Sequence, residues 1–317
     1  MEYQTTLSNN EPIVITIGNF DGVHRGHQRL MHEVVVTAQE LQCKPTLVTF
    51  SPHTLMVIRP DIDVHYLTTV EEKLALTRIY GGIADSIVIN FTPEVAARSA
   101  EEFMNTLCAH FTIKGLVVGE DFSLGHNRAG NRNFLEHYGQ EHGILIRAIP
   151  LEEAERMRIS STRIRALVGE GDVSAANALL GHPLTFSEIV KHGDERGRQL
   201  GFPTANLIPE PHKLLPANGV YAVRASMGNQ ATSDLEHLSS VYNGVANIGV
   251  RPTFNGKERI VEVHLLDVQP NLYDQRITIE FIQRLRSEQK FAGIDALKVQ
   301  IATDVEQARQ ILSAFQR

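Results

Sequence analysis

The segment Gly18-Asn19-Phe20-Asp21-Gly22-Val23-His24-Arg25-Gly26-His27 carries two imidazoles three residues apart, with glycines beside them. Side chains at that spacing share a helix face and point into one space. The glycines let a ligand approach the backbone closely, and a helix start offers unpaired N–H groups to an anion. The segment therefore suits a phosphate group whose charge grows as a leaving group departs. A zinc ion, or an ordinary place at a helix start, would also explain two histidines, although no third metal ligand is marked nearby. Ser160-Ser161-Thr162 opens a second helix, where hydroxyls commonly act as caps. Yet Ile164 and Arg165 stand where a capping box needs Glu or Gln. Arg163 and Arg165 in that first turn oppose the helix dipole unless an anion is bound there.

The stretch Gly197-Arg198-Gln199-Leu200-Gly201-Phe202-Pro203-Thr204-Ala205-Asn206 is a glycine-bearing loop running into an extended segment. Alternation puts Thr204 and Asn206 on one side, offering a hydroxyl and an amide oxygen. Such hard donors suit Mg²⁺, whose remaining ligands come from water and nucleotide phosphates. A simple turn would have the same composition. Further on, Val261, Val263 and Leu265 alternate to one face, leaving Glu262 and His264 on the other. Glu262 is thus the carboxylate candidate, although a solvent-facing strand would look the same. Neither G-x-G-x-x-G nor G-x-x-x-x-G-K-[ST] occurs, which argues against a dinucleotide dehydrogenase or a P-loop kinase.

These residues need elements to hold them. Residues 13–17 predict a buried strand ending at Gly18, followed by a helix from Gln28, with Pro45 closing the connection to the second strand. Strands at 46–50, 86–90, 115–118 and 144–149 alternate with helices at 71–80 and 100–111, the pattern of βαβ units and a parallel sheet. Helices at 162–168 and 173–180 follow. After residue 183 the period changes to two, at 220–225, 241–248, 260–266 and 277–282, which predicts an antiparallel barrel or sandwich. Residues 228–240 read as a long loop. An apolar face from Leu297 to Phe315 predicts a closing helix.

At 317 residues with net charge -7, the chain is long enough for two cores and has no basic field to gather nucleic acid. Two cysteines without a C-x-x-C pair, no secretory signal and no apolar run of membrane length predict a cytoplasmic protein. Nothing in the pattern specifies an oligomeric state. The expected domains are 1–183 and 184–317.

The first motif, together with Ile159-Ser160-Ser161-Thr162-Arg163-Ile164-Arg165, resembles the adenylyltransferase half of the prokaryotic bifunctional riboflavin kinase/FAD synthetases. Thr49-Phe50-Ser51-Pro52-His53, and residues 118–125 with Arg128 and Gly130, are similar to the FAD synthetase branch specifically. The resemblance implies a Rossmann-like nucleotidyltransferase domain in which His24, His27, Ser161, Thr162 and Arg165 are catalytic. It also implies that Gly18, Asn19, Phe20, Asp21, Gly26, Pro52, His53, Asp121, Arg128 and Ser160 bind ATP or flavin. Leu124, Asn131 and Thr54 stand where the family commonly has an aromatic, an acidic residue and a second proline.

Residues 196–206, 219–223 and 247–254, with Glu262-Val263-His264, resemble the riboflavin kinase domain, and Ser187 stands where glycine is common. That likeness implies a six-stranded antiparallel barrel with a C-terminal helix. It assigns Glu262 as base, Thr204 and Asn206 as Mg²⁺ ligands, and Gly197, Arg198, Gly201, Pro203, Asn247 and Arg251 to ATP or flavin. The implied pathway is riboflavin plus ATP to FMN, then FMN plus ATP to FAD and pyrophosphate. Two rival readings are a nucleotidyltransferase with another phosphorylated acceptor, and a flavin sensor without activity. Intact H-x-G-H and P-T-A-N elements weigh against the sensor, and the second domain against the other acceptor.

Overall fold

Five consecutive β-branched residues make Ile13–Ile17 a strand buried along its whole length. The computed structural model describes residues 1–8, 11–150, 153–154, 157–192, 197, 200–227, 241–253 and 256–315, with the backbone alone at 153–154, 157–158, 251–253 and 256–257. The chain divides into one unit of Met1–Tyr66 with Lys73–Ser160, and a second of Leu67–Glu72 with Ser161–Arg317.

The elements up to residue 158 are β1 (Tyr3–Thr5), β2 (Ile13–Ile17), α1 (Arg25–Glu40), β3 (Lys44–Ser51), α2 (Thr54–Ile58), α3 (Val70–Gly81), β4 (Asp85–Asn90), α4 (Pro93–Ala96), α5 (Ala100–His110), β5 (Ile113–Gly119), α6 (Arg132–His142), β6 (Leu145–Ile149) and the short pair β7 (Glu153–Ala154) and β8 (Met157–Arg158). The main sheet has the order β1-β4-β3-β2-β5-β6. All its neighbours are parallel except β1, an edge strand that the sequence pattern does not announce. Alternation along β2 explains the two cores. Ile13, Ile15 and Ile17 pack with α5 and α6 on one face, while Val14 packs with Met31, Val34 and Ala38 of α1 on the other. Pro45 lies inside β3 opposite Val14 and does not close the connection, a place a proline tolerates near a strand's start. Helix α1 starts at Arg25, three residues before the apolar periodicity shows.

The remaining elements are α7 (Ser161–Glu170), α8 (Val173–Leu180), β9 (Leu184–Ile189), β10 (Ala205–Leu207), β11 (Gly219–Met227), β12 (Val241–Thr253), β13 (Gly256–Leu265), β14 (Arg276–Ser287) and α9 (Ile294–Ala314). The six strands are antiparallel in the order β10-β13-β12-β11-β14-β9. A bridge between Lys191 and Asn206 joins the two edges, so the sheet closes as a barrel. The expected loop at 228–240 lies outside the described residues. Helix α9 lays Ala308 and Leu312 on Val220, Ala222, Val245 and Ile282. It also buries Asp304, which receives Arg286 Nε at 3.0 Å and Nη2 at 2.8 Å. Helices α7 and α8 are counted with the barrel. Asn177 of α8 donates to the Phe281 carbonyl at 2.8 Å and accepts from Leu184 N at 2.7 Å.

Candidate active sites

In the first unit, the segment after β2 sits at the carboxyl edge of the sheet, between β3 and β5. The parallel order there is the doubly wound one, and β2 with β5 marks the point where the strand order reverses, where such sheets bind ligands. The loop is conformationally demanding. Phe20 and Val23 have φ of 49° and 42°, and Gly22 has φ of 81°. Each non-glycine residue held so costs on the order of 1–3 kcal/mol, and such positions cluster at functional sites. Asn19 anchors the loop, its Nδ2 donating to Thr54 Oγ1 at 2.8 Å and its Oδ1 accepting from Thr54 N at 3.3 Å. A proline at 54 has no N–H for the second bond. Thr54 thus gives this chain a tie between the loop and α2.

His24 is the N-cap of α1, and its Nδ1 accepts from His27 N at 3.3 Å. The two are therefore not on one helical face, as the sequence spacing predicts. They are stacked instead, with ring centroids 3.6 Å apart and planes 16° from parallel. Capping commits Nδ1 of neutral His24 as acceptor, so its proton sits on Nε2. Gly26 makes room for the stack, because a Cβ there would stand 3.3 Å from the His24 ring. Burial, then His24, then Lys73, holds the His27 imidazole well below its ordinary pKa. Its Nδ1 is buried without a hydrogen-bond partner among the described residues.

The other expected residues of this site are more dispersed. His53 caps α2, accepting from Leu55 N at 3.3 Å, and Pro52 before it is exposed. Asp121 and Arg128 lie exposed in the segment after β5, where Arg128 Nε donates to Ser123 Oγ at 2.7 Å. Leu124 is buried in the core, and Asn131 caps α6. Half-buried Ser160 ends the first unit, and Ser161, Thr162 and Arg165 open α7 in the second. The sequence reading missed Lys73, which is 4% exposed and donates to Thr49 Oγ1 at 3.1 Å. Its position on an amphipathic helix resembles that of any surface lysine, so no local signal marks it.

In the second unit, the register places Asn206 opposite Glu262, and Glu262 opposite Asn247. Directly paired residues share a face, so three expected site residues form one polar row across β10, β13 and β12. Asn247 Nδ2 donates to Glu262 Oε2 at 3.2 Å. The opposite face of the same strands, through Ala205, Val263 and Leu265, walls a cavity of about 360 Å³ with Thr204, Leu272 and Tyr273. β10 begins at Ala205, so Thr204 precedes the ladder and meets that cavity. The segment before it is held closely. Gly201 has φ of 91°, Phe202 N donates to the Gly197 carbonyl at 2.8 Å, and a Cβ on Gly197 would collide with Phe202 and crowd Thr204. His264 Nδ1 donates to the Pro203 carbonyl at 2.8 Å. Arg198 lies outside the described residues, and Arg251 is described only as backbone in β12.

Two other carboxylates of this unit, Asp267 and Glu280, sit elsewhere. Asp267 is exposed and paired with Arg309 at 2.5 and 2.7 Å, which holds its carboxyl below the usual range. Glu280 is buried in β14 opposite Thr185 and Arg224.

A family model described as FAD synthetase matches residues 6–163, and one described as riboflavin kinase matches 180–312. Curated relatives named bifunctional riboflavin kinase/FMN adenylyltransferase include one from Escherichia coli (strain K12), 38% identical over 95% of this chain and 93% of its own length. Another from Pseudomonas fluorescens is 37% identical over 94% of this chain and 92% of its own. A crystal structure of a macrolide-efflux protein from Streptococcus pneumoniae superposes with a TM-score of 0.83 at 28% identity, covering 96% of both chains. No described helix here is long and apolar enough to cross a membrane. Neither rival reading of the sequence finds support among these relatives. Enzymes of both matched kinds use ATP and generally need a divalent metal. The chain belongs to the bifunctional riboflavin kinase/FMN adenylyltransferase family, and it is an enzyme that phosphorylates riboflavin to FMN and adenylylates FMN to FAD.

Proposed function

We propose that adenylyl transfer is carried by residues 1–183 and riboflavin phosphorylation by residues 184–317. The stacked His24–His27 pair on its strained loop is the observation that carries the first assignment. An FMN phosphate oxygen attacks the α-phosphorus of ATP, and the bond to the β-phosphate bridging oxygen breaks as pyrophosphate leaves. That nucleophile is already ionised and needs no base. His24, His27, Ser161, Thr162 and Arg165 therefore bind phosphate and stabilise charge that grows in the transition state. Gly18, Asn19, Phe20, Asp21 and Gly26 shape the loop, and Pro52, His53, Asp121, Arg128 and Ser160 complete the contacts to ATP and flavin.

In the kinase half, Glu262 takes the proton of the ribityl 5′-hydroxyl as that oxygen attacks the γ-phosphorus, and the bond from the γ-phosphorus to the β,γ-bridging oxygen breaks as ADP leaves. The riboflavin hydroxyl and the ATP γ-phosphate meet beside the polar row of Asn206, Glu262 and Asn247. Thr204 hydroxyl and Asn206 amide oxygen are hard donors that fit Mg²⁺, which when bound neutralises ATP phosphate charge. Gly197, Arg198, Gly201, Pro203, Asn247 and Arg251 contact ATP or flavin. The chain works in the cytoplasm on small molecules, without nucleic acid or membrane. Incubating full-length protein with riboflavin, ATP and Mg²⁺ and separating the flavins tests the division. Asn206→Ala should leave riboflavin unconverted yet adenylylate supplied FMN, and His27→Ala should stop at FMN.

A further inference from the structure

Lys73 is a charged residue in the interior of the first unit, only 4% exposed. Its ammonium has three donors, and among the described residues one is used, toward Thr49 Oγ1 at 3.1 Å. Thr49 is fully buried, and its hydroxyl donates onward to the Asn19 carbonyl at 3.3 Å. Asn19 opens the strained loop, so Lys73 supports that loop through β3 while Thr54 holds it from α2. The buried Asp21 carboxylate attracts the ammonium, and His27 feels its charge. A buried cation with unspent donors costs stability, and proteins keep such a cost mainly where function needs it.

We propose that Lys73 is a positioning residue of adenylyl transfer, its ammonium fixing the Asn19–His27 loop through Thr49 and Asp21. The inference rests on the reading of that loop as the adenylyl-transfer site. Burial lowers the lysine's pKa to about 8, opposed by the attraction of Asp21. The supporting charge is present below that pH and lost above it. Asp21 on the loop and His27 on α1 are the titratable groups coupled to it.

The test is Lys73→Met in the full-length chain, with Thr49→Val and His27→Ala in parallel, measuring FMN adenylylation, riboflavin phosphorylation and the thermal midpoint. Lys73→Met should lower the adenylylation kcat at least tenfold and leave phosphorylation unchanged. Its thermal midpoint should equal or exceed the parent's, which a merely structural lysine would not allow. The parent's adenylylation should fall as pH rises through about 8, and the variant's slower rate should lack that limb. Thr49→Val, nearly isosteric, should slow the same step several-fold and decides the matter if Lys73→Met does not fold. Parent-like adenylylation in either variant overturns the proposal, as does a loss that follows a lowered thermal midpoint. If His27→Ala also adenylylates normally, the reading of the site itself has failed.

Discussion

Asn247 faces Glu262 across neighbouring strands and donates to its Oε2 at 3.2 Å. That bond orients the carboxylate while leaving its other oxygen for a substrate hydroxyl. Glu262→Gln keeps the shape but cannot usefully take a proton. Riboflavin phosphorylation should fall by about 10²- to 10⁴-fold, with supplied FMN adenylylated normally. Asp267→Asn and Glu280→Gln are the controls, since Asp267 is paired with Arg309 and Glu280 lies in β14. If Glu262→Gln phosphorylates at the parent rate, the base is elsewhere or absent.

His27→Ala should slow FMN adenylylation by on the order of 10²-fold or more, by analogy with loss of an oxyanion donor. FMN formation should continue. Because burial first and neighbouring charges second hold His27 well below its ordinary pKa, the imidazole is neutral at pH 7 in the free protein. A bound triphosphate favours the cation, so ATP binding near neutral pH should take up protons. Calorimetry in two buffers of different ionisation enthalpy measures that uptake, which His27→Ala should diminish. Equal uptake in both proteins would remove His27 from the phosphate site.

His264 should act on ATP affinity through the Pro203 carbonyl that it holds at 2.8 Å. His264→Ala should raise the KM for ATP in riboflavin phosphorylation by roughly 5- to 10-fold, the value of about one hydrogen bond. His264→Asn keeps an N–H near the position of Nδ1 and should recover most of the loss. An alanine variant with the parent KM would make the contact incidental.

Lys213 and Glu72, 1% and 6% exposed, form an ion pair inside the second unit. Lys213 also donates to the Leu67 carbonyl at 2.6 Å, and Glu72 accepts from Ser187 N at 2.9 Å. Glu72→Gln leaves a buried cation uncompensated and should destabilise the unit by about 3–5 kcal/mol, read by denaturant unfolding. Glu72→Gln combined with Lys213→Met should cost less than the sum of the two single changes. Additive losses would show that the two charges do not depend on each other.

Periodicity alone determined most of the elements, because buried strands and amphipathic helices write their spacing directly into apolar residues. The β-branched run before Gly18 located the first site, and the alternation at 261–265 singled out Glu262. Edge strand β1 escaped because one half-buried and two exposed residues carry no pattern, and Pro45 misled because a strand start tolerates proline. The chain folding in three dimensions decided what lies opposite what. Cross-strand register, which local spacing does not encode, brought Asn206 and Asn247 to either side of Glu262. A positive-φ loop turned two histidines at helical spacing into a cap and a stacked partner. Lys73 and Lys213 look like any surface lysine in the sequence, and only packing shows that each is buried, since burial depends on residues far away in the chain.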